Sequence, residues 1–306
     1  MTTASATKTK AKKPVRTSME HTPERFNANT ASIQGEVYKI WPSPVPGDDT
    51  IFARIELDQE SGQGNTKPAR ITIAFRDGEV AGRPFNLLRG EHIQISGYIA
   101  DFDRAETLEN FLTKCKRRDL IEEQPKLAAI AGIAKLQRPM TCLIPIEKDS
   151  LDGLSKTEYN DLVWDNTNSA LLEGVVAATW AYAGHGFIRL AVYDEHTKIL
   201  QKNGNRPKRR PHYITVQLTD GKIGDIAIEL LGKNGKPKPN TIRRGDRIKI
   251  QGRFSQTAQW DNLREFVIKS GYAAVLSELP DTDRYNEIRF SSPMTVVEAQ
   301  WFVQFT

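Results

Sequence analysis

The feature that most constrains this fold is a β-strand that the chain contains twice. Residues 87–99 read LLRGEHIQISGYI, and residues 241–254 read TIRRGDRIKIQGRF. Each segment places a glycine and an acidic residue in a charged turn, alternates apolar and polar residues, and repeats a glycine seven positions after the first. Strict alternation is the pattern of a strand with one buried face. The repetition predicts that the 306-residue chain contains two copies of one β domain.

Further paired segments occur in the same order and extend the repeat. Their offsets are 139, 135, 143 and 155 residues, and the last equals the offset between the two glycine-containing strands. The offset changes only between segments, where loops tolerate insertions. The pairs are IQGEVYKIW (33–41) with LEGVVAATW (172–180), FARIEL (52–57) with FIRLAV (187–192), ITIAFRDG (71–78) with ITVQLTDG (214–221), and LENFLTK (108–114) with LREFVIK (263–269).

Each unit is predicted to contain three strands, a short non-strand segment and two further strands, with LENFLTK and LREFVIK as the fifth strands. The non-strand segment of the second unit contains IGDIAIELL (223–231), a candidate short helix, which the first unit shortens to EVAGRPFNLL (79–88). This is the order of a small Greek-key barrel of the OB type. Glycines in strands one and four suit the tight bends of barrel closure. We therefore predict a mainly all-β chain with two five-stranded OB-type Greek-key barrels in tandem, short helices and a helical connector.

The repeat divides the chain into five predicted parts. The N-terminal residues are rich in Lys and Thr and poor in apolar side chains, which favours disorder. PKLAAIAGIAKLQRP (125–139) and KTEYNDLVWDN (156–166) indicate short helices between the barrels. TVVEAQWFVQFT (295–306) alternates well enough for a strand that augments a barrel edge or forms an oligomer contact. The parts are a basic tail (1–29), a first OB domain (30–118), a partly helical connector (119–168), a second OB domain (169–278) and a C-terminal extension (279–306).

The motifs of the second unit resemble those of a known family. GDRIKIQGRF, with FIRLAV and HYITVQL upstream and QWDNLREFVIKSG downstream, is similar to the OB domain of bacterial-type single-stranded DNA-binding proteins. The chain thus resembles a tandem two-OB member of that group, which implies binding of unpaired DNA without a cofactor. Such proteins commonly end in an acidic tail that recruits partners, whereas this chain ends PMTVVEAQWFVQFT, so that tail function is not implied here.

Basic residues are concentrated in the second unit. Residues 170–275 contain 18 basic and 9 acidic residues, whereas residues 31–115 contain 9 basic and 13 acidic residues. The net charge of +5 for the whole chain conceals this difference. We therefore expect the second barrel to carry most of the affinity for a polyanion, and the acidic first barrel to be a weaker DNA site or a surface for protein contacts.

The alternation in the second and third strands predicts aromatic and cationic side chains on the outer barrel face. An outward ring stacks a base for about 1 to 3 kcal/mol, and a neighbouring cation pairs with phosphate. The alternative for the two phenylalanines is packing under a loop or a neighbouring domain. The candidate residues are Phe52, Arg54 and Arg70 in the first unit and Phe187, Arg189, Tyr193 and Tyr213 in the second.

Two further basic segments belong to the predicted binding surface. The fourth strand of the second unit carries Arg247, Lys249 and Arg253 on its outer face. The segment QKNGNRPKRRPHY (201–213) is predicted to form a long hairpin able to lie along a sugar-phosphate backbone. A solvated basic loop with no partner is the alternative. The cations proposed for this hairpin are Arg206, Lys208, Arg209 and Arg210.

Three tryptophans complete the set of candidate binding residues. Trp41 and Trp180 lie at the ends of the first strands, where they serve either as rim residues of the OB groove or as plugs of the barrel. Trp260 lies in a predicted polar turn between strands four and five and favours a rim position.

The sequence shows no motif for catalysis, cofactor binding or metal binding. No phosphate-binding loop, nucleophile elbow, zinc helix or spaced Cys and His set is present, and the five histidines are scattered. Cys115 and Cys142 form neither a disulfide framework nor a ligand spacing, which favours two buried cysteines in a reducing cytoplasm. No apolar run approaches the roughly 18 residues of a membrane span.

Together these features predict a cytoplasmic, nucleoid-associated protein that coats and protects unpaired DNA in replication, recombination or repair. We expect it not to be an enzyme. RNA binding and an OB module that contacts proteins, including replication or repair proteins or a second copy of the chain, remain the alternatives.

Overall fold

The computed structural model of the chain describes residues 26–43, 45, 47–58, 68–75, 79–80, 83–84, 86–102, 104–150, 168–182, 185–203, 206–218, 242–279 and 284–305. The predicted tail up to residue 25, the candidate helix at 223–231 and the connector segment 156–166 lie outside these residues. The strands are β1 (Asn29–Pro42), β2 (Ile51–Leu57), β3 (Arg70–Phe75), β4 (Glu79–Val80), β5 (Arg83–Pro84), β6 (His92–Phe102), β7 (Ala105–Thr107), β8 (Lys135–Gln137), β9 (Met140–Ser150), β10 (Asn168–Tyr182), β11 (His185–Val192), β12 (Ile199–Asn203), β13 (Arg206–Arg209), β14 (His212–Leu218), β15 (Arg247–Asn262) and β16 (Arg289–Phe305). The helices are α1 (Leu108–Lys114), α2 (Asp119–Glu123), α3 (Pro125–Ile130), α4 (Leu263–Lys269), α5 (Ala273–Ser277) and α6 (Arg284–Glu287).

Two closed five-stranded barrels form the main body of the fold. The first runs β1-β2-β3-β9-β6 and returns to β1, with β3 and β9 parallel and the other pairs antiparallel. The second runs β10-β11-β14-β16-β15 and returns to β10, with β14 and β16 parallel. Alternate residues of these strands, such as Ile55 and Leu190, fill one shared apolar core. The all-β tandem OB architecture predicted from the repeat is confirmed.

The fifth strand of each barrel is not the predicted segment. LENFLTK and LREFVIK form helices α1 and α4 rather than strands. Their apolar residues follow helical spacing, as in Leu108, Phe111 and Leu112, and a side-chain N-cap begins each helix, Thr107 in α1 and Asn262 in α4. The fifth strands are β9 and β16, which come from the predicted connector and the C-terminal extension. The barrels therefore extend beyond the predicted limits at residues 118 and 278, and the C-terminal segment is a barrel strand.

The helices of both units pack together in a second apolar core. The rings of Phe111 in α1 and Phe266 in α4 lie 4.9 Å apart between centroids. Residues of α2, α3, α5 and α6 complete the cluster, including Leu127 in the helix predicted for the connector. Because this helical core joins equivalent segments of the two units, it holds the barrels in one arrangement.

The strands β1 and β10 relate the two barrels by a local two-fold symmetry. They pair antiparallel about Ala31 and Ala170, so that Asn29 lies opposite Leu172 and Ile33 lies opposite Asn168. At the repeat offset of 139 residues, Asn29 corresponds to Asn168 and Ile33 corresponds to Leu172. Each of these two pairs is therefore the symmetry equivalent of the other. The side chain of Asn29 exchanges two hydrogen bonds with the backbone of Ile99, and that of Asn168 does the same with Phe254. The symmetry of the duplicated sequence therefore holds for hydrogen bonds as well as for backbone.

The second glycine of each repeated strand permits a close approach between strands four and five. A Cβ placed on Gly97 would lie 1.9 Å from the carbonyl oxygen of Ile144, and one on Gly252 would lie 2.3 Å from that of Glu298. The pairing register shifts by a bulge at both glycines. These positions close the barrels, as the sequence indicated.

Candidate nucleic-acid interface

A cleft of about 600 Å³ lies between the two barrels and the helical core. A smaller groove of about 390 Å³ adjoins it on the first barrel, and the two share Arg54, Arg104 and Met140. We call the two together the central lane. Aromatic and cationic side chains line both parts, with Arg54, Arg104, Trp180, Phe187, Arg189, Tyr213, Trp260 and Lys269 in the larger cleft and Trp41, Phe52 and Phe102 in the smaller groove.

Each barrel presents a tryptophan that is supported by a phenylalanine. Trp41 stacks on Phe52 with ring centroids 5.8 Å apart and planes at 17°, and Trp180 stacks on Phe187 at 5.6 Å and 12°. Each pair joins opposite residues of the first two strands of its barrel. Both tryptophans are half-buried and lie outside the barrel core, so they are rim residues and not plugs. A ring held on one face by a second ring has one face left for a base. At Trp41 the side chains of Lys39 and Arg54 also lie over the ring, 5.8 and 5.7 Å from its centroid.

The expectation that Phe52 and Phe187 face solvent is wrong. Both point away from the barrel core as the alternation predicted, but Phe52 is 5% exposed and Phe187 is fully buried. The tryptophan on the neighbouring strand covers each of them, and Phe102 packs edge-on against Phe52 at 5.6 Å. The phenylalanines therefore support the stacking rings and do not offer a free face of their own.

Arg54 and Arg189 occupy equivalent positions in the two barrels, and both line the cleft. The guanidinium carbon of Arg54 lies 5.7 Å from the Trp41 ring centroid, and that of Arg189 lies 5.7 Å from the Tyr213 ring centroid. Burial, followed by the charges of Arg70 and Arg104, lowers the pKa of Arg54. Arginine nevertheless stays charged at neutral pH. Arg54 is half-buried, and among the described residues its Nε has no hydrogen-bond partner.

Tyr213 and Trp260 line the same cleft on the second barrel. Tyr213 is half-buried, and its backbone N–H donates to Asp101 of the first barrel at 3.0 Å. The Trp260 side chain is 51% exposed. It lies within β15 and not in the predicted turn, because that strand continues past the barrel and pairs with β16 as far as Asn262. The rim position expected for Trp260 therefore arises from a long strand.

Tyr193 does not belong to the cleft. It follows β11, is 5% exposed, and its backbone N–H donates to the side chain of Asn27 at 3.0 Å. The solvent exposure predicted for Tyr193 is therefore wrong, and the segment before β1 contacts this position through a hydrogen bond from the N–H of Asn27 to the carbonyl oxygen of Tyr193.

Four of the cations predicted on the barrel strands do not line the central lane in the part of the chain that the structure describes. Arg70 pairs with Glu56 at 2.7 Å and lies over the Tyr38 ring at 3.9 Å, and the hydrogen bond to Glu56 raises the pKa of Arg70. Arg247 pairs with Glu173 at 2.6 Å, and Arg253 pairs with Glu298 at 3.2 Å. Lys249 lies opposite Glu173 in the sheet register. Neighbouring acids on the paired strands thus oppose the positive charge of this outer face.

The basic hairpin is formed by β12 and β13, as the sequence indicated. Arg206 begins β13, and Lys208 is half-buried. Arg209 donates to the carbonyl oxygens of Glu195 and Thr197 at 3.1 and 3.2 Å, and Arg210 lies 3.3 Å from a carboxylate oxygen of Asp101. Both Arg209 and Arg210 thus contact the protein, and neither is among the described residues that line the central lane. Arg209 and Arg210 therefore hold the base of the hairpin against both barrels.

Several residues that line the cleft were missed by the sequence argument. Residues 139–141 and 293–295 both read PMT, and both triplets line the cleft at an offset of 154 residues. This second repeat was visible in the sequence, but it lay outside the predicted barrels. Ion pairs also connect the wall of the cleft. Glu106 pairs with Lys114 and Arg138, and Asp261 pairs with Arg138 and Lys269. Because Arg138 contacts both carboxylates, it joins the two units.

The described strands and helices thus define a tandem OB-barrel protein with an aromatic and cationic cleft between its barrels. No protein-family model matches the chain, and no curated protein matches its sequence. Among solved structures, a deletion mutant of the single-stranded DNA binding protein from Thermus aquaticus is similar over 92% of this chain and 96% of that chain, at 12% identity and a TM-score of 0.43. The wild-type protein from the same organism is similar over 92% and 95%, at 14% identity and a TM-score of 0.39. At this identity, the site residues of this chain must be placed by its own geometry.

Proposed function

We propose that this chain is a non-enzymatic protein that binds single-stranded DNA in the central lane without strong sequence preference. The observation that carries the proposal is the repeated pair of a tryptophan supported by a phenylalanine, Trp41 with Phe52 and Trp180 with Phe187. An arginine of each barrel, Arg54 and Arg189, lines the cleft as well. Every base has a π-face, so stacking tolerates any sequence, and the guanidinium pairs with phosphate.

The geometry favours a contribution from both barrels. The first unit is acidic overall, but its groove contains Trp41, Arg54 and Arg104, and the carboxylate of Asp101 is already engaged by Arg210 and by the N–H of Tyr213. Asp101 of the first unit therefore has both a basic and an N–H partner. We assign the stacking positions to Trp41, Trp180 and Trp260, and the phosphate contacts in the lane to Arg54 and Arg189.

The basic hairpin is a secondary element of the proposal. We assign the hairpin as a whole, with the cations Arg206, Lys208, Arg209 and Arg210 at and beside β13, to the sugar-phosphate backbone beyond the lane. In a cell, a protein of this kind would coat and protect unpaired DNA during replication, recombination or repair. This role places it in the cytoplasm with the nucleoid, where replication or repair proteins are its expected partners. Among the described residues, no helix has the length and apolar character needed to cross a bilayer.

A fluorescence titration tests the proposal. The protein is titrated with oligo-dT, with RNA of the same length and with a duplex, at several salt concentrations. We expect dT to quench tryptophan fluorescence and to bind more tightly than the duplex, with log affinity falling linearly against log salt. Equal affinity for the duplex would indicate a generic basic surface, and tighter binding of RNA would indicate an RNA-binding protein. Absence of binding to all three would favour a protein-interaction module.

A further inference from the structure

The two units line the cleft with equivalent residues. Their equivalence follows from the repeat offsets and from the matching register of the two barrels. Since the local symmetry at β1 and β10 is two-fold, the cleft presents the same groups from two opposite directions. The equivalent pairs are Arg54 with Arg189, Thr72 with Thr215, Lys114 with Lys269, Pro139 with Pro293, Met140 with Met294, and Thr141 with Thr295.

The groups along the central lane therefore occur in mirrored order. Trp41 lines only the smaller groove, whereas Arg54 lines both the groove and the cleft, so Arg54 is nearer the centre. In the second barrel Trp180 and Arg189 both line the larger cleft, and we infer from the two-fold relation of β1 and β10 that Arg189 is the nearer of the two to the centre. A strand that follows the lane meets tryptophan before arginine in the first barrel, and arginine before tryptophan in the second.

A nucleic-acid strand has a direction, because its sugar and phosphate repeat reads differently from 5′ to 3′ than from 3′ to 5′. A fixed ring and a fixed guanidinium place one base and a neighbouring phosphate in one of these two orders. If each barrel prefers one strand polarity in the direction from its tryptophan to its arginine, the equivalent groups of the other barrel prefer the same polarity in that direction. The tryptophan-to-arginine direction of the first barrel is opposite to that of the second along the lane. The preferred strand polarity along the lane is therefore opposite in the two barrels.

We propose that the two barrels bind strand segments of opposite polarity along the lane, an inference that rests on the single-strand binding proposed above. A natural strand that runs straight through the cleft satisfies only one barrel. Both barrels are satisfied when a strand doubles back between them or when two antiparallel strands enter. The equivalent residues Met140 and Met294 both line the cleft, and we place the meeting point of the two segments between them.

The experiment uses two dT segments joined directly through three different linkages. Each segment is the shortest dT that the full-length protein binds, and the linkages are natural 3′–5′, inverted 3′–3′ and inverted 5′–5′. Occupying the second barrel without a second bimolecular step raises avidity by roughly 10²-fold or more. We expect one inverted oligonucleotide to bind roughly 10²-fold more tightly than the natural one.

Two variants assign the gain to the barrels. Trp41→Ala and Trp180→Ala should each remove the advantage of the inverted oligonucleotide, because each disables one of the two sites. Natural dT that binds as tightly as both inverted forms would overturn the proposal of opposite polarity. Failure of the single dT segments to bind would instead contradict the proposed function itself, so the two failures are distinguishable.

Discussion

Replacement of Trp180 by alanine should weaken binding of single-stranded DNA by an amount that the ring geometry sets. One face of the indole is occupied by Phe187 at a centroid distance of 5.6 Å and an angle of 12°. Only the other face remains for a base, so the substitution removes one stacking contact and not two. One such contact contributes about 1 to 3 kcal/mol. The expected result is a dissociation constant about 5- to 150-fold higher.

The assay is fluorescence anisotropy of end-labelled dT, because removal of a tryptophan changes the intrinsic fluorescence of the protein. The matched control is Trp301→Ala. Trp301 lies in β16, is 50% exposed, and is not among the described residues that line the central lane. We expect this control to bind within about twofold of the wild type, because it removes no stacking contact. Unchanged affinity in Trp180→Ala, or an equal loss in the control, would refute the stacking assignment.

Three further predictions concern the lane, the barrel closure and the half-buried thiol of Cys115. Arg189→Ala should weaken dT binding and reduce the slope of log affinity against log salt by about 0.7, as for loss of one phosphate contact on a single strand, and an unaltered slope would place Arg189 outside the contact. Gly97→Ala should lower the free energy of unfolding, measured by urea titration, by about 3 kcal/mol or more, because a Cβ there lies 1.9 Å from a backbone oxygen. The control Gly132→Ala should change this free energy little, because nothing lies within 4 Å of its Cβ. Equal effects of the two substitutions would contradict the close approach. Burial first, and then the charge of Glu106, raise the pKa of Cys115 from 9.0 to about 11. Since the thiolate is the reactive form, Cys115 in the folded protein at pH 8 should be alkylated roughly 100-fold more slowly than in the unfolded chain. The rate, measured by peptide mass spectrometry, should increase towards pH 11. Rapid alkylation of the folded protein at pH 8 would contradict the raised pKa.

The local patterns of the sequence predicted the strands well because alternation depends only on neighbouring residues. The outward direction of Arg54 and Arg189 follows from period two alone, and both line the cleft. The burial of Phe187 does not follow from its own strand, because the covering ring belongs to Trp180 on the strand beside it. Exposure on an outer face is therefore a property of the paired strands and not of one strand.

The same limit explains the errors over the cations. Arg247, Arg253 and Arg210 are paired with carboxylates that are 74, 45 and 109 residues away in the chain. A count of basic residues within one segment does not detect such partners. The error in the fifth strands has a different cause. The spacing of Leu108, Phe111 and Leu112 is helical, and a match between two units does not distinguish a repeated strand from a repeated helix.

Duplication within one chain allows the two sites to diverge while the fold keeps its symmetry. The position of Trp260 corresponds to Ala105 in the first unit, at the offset of 155 residues, so the second barrel has a ring that the first lacks. Conversely, Tyr38 and Arg70 of the first unit correspond to Ala177 and Tyr213. A homodimer would have to carry both rings or neither, because its two sites share one sequence. Under the proposed function, we expect the additional ring to make the second barrel the stronger stacking site. A strand is then expected to occupy the second barrel first, and the polarity of the first barrel to restrict its further path.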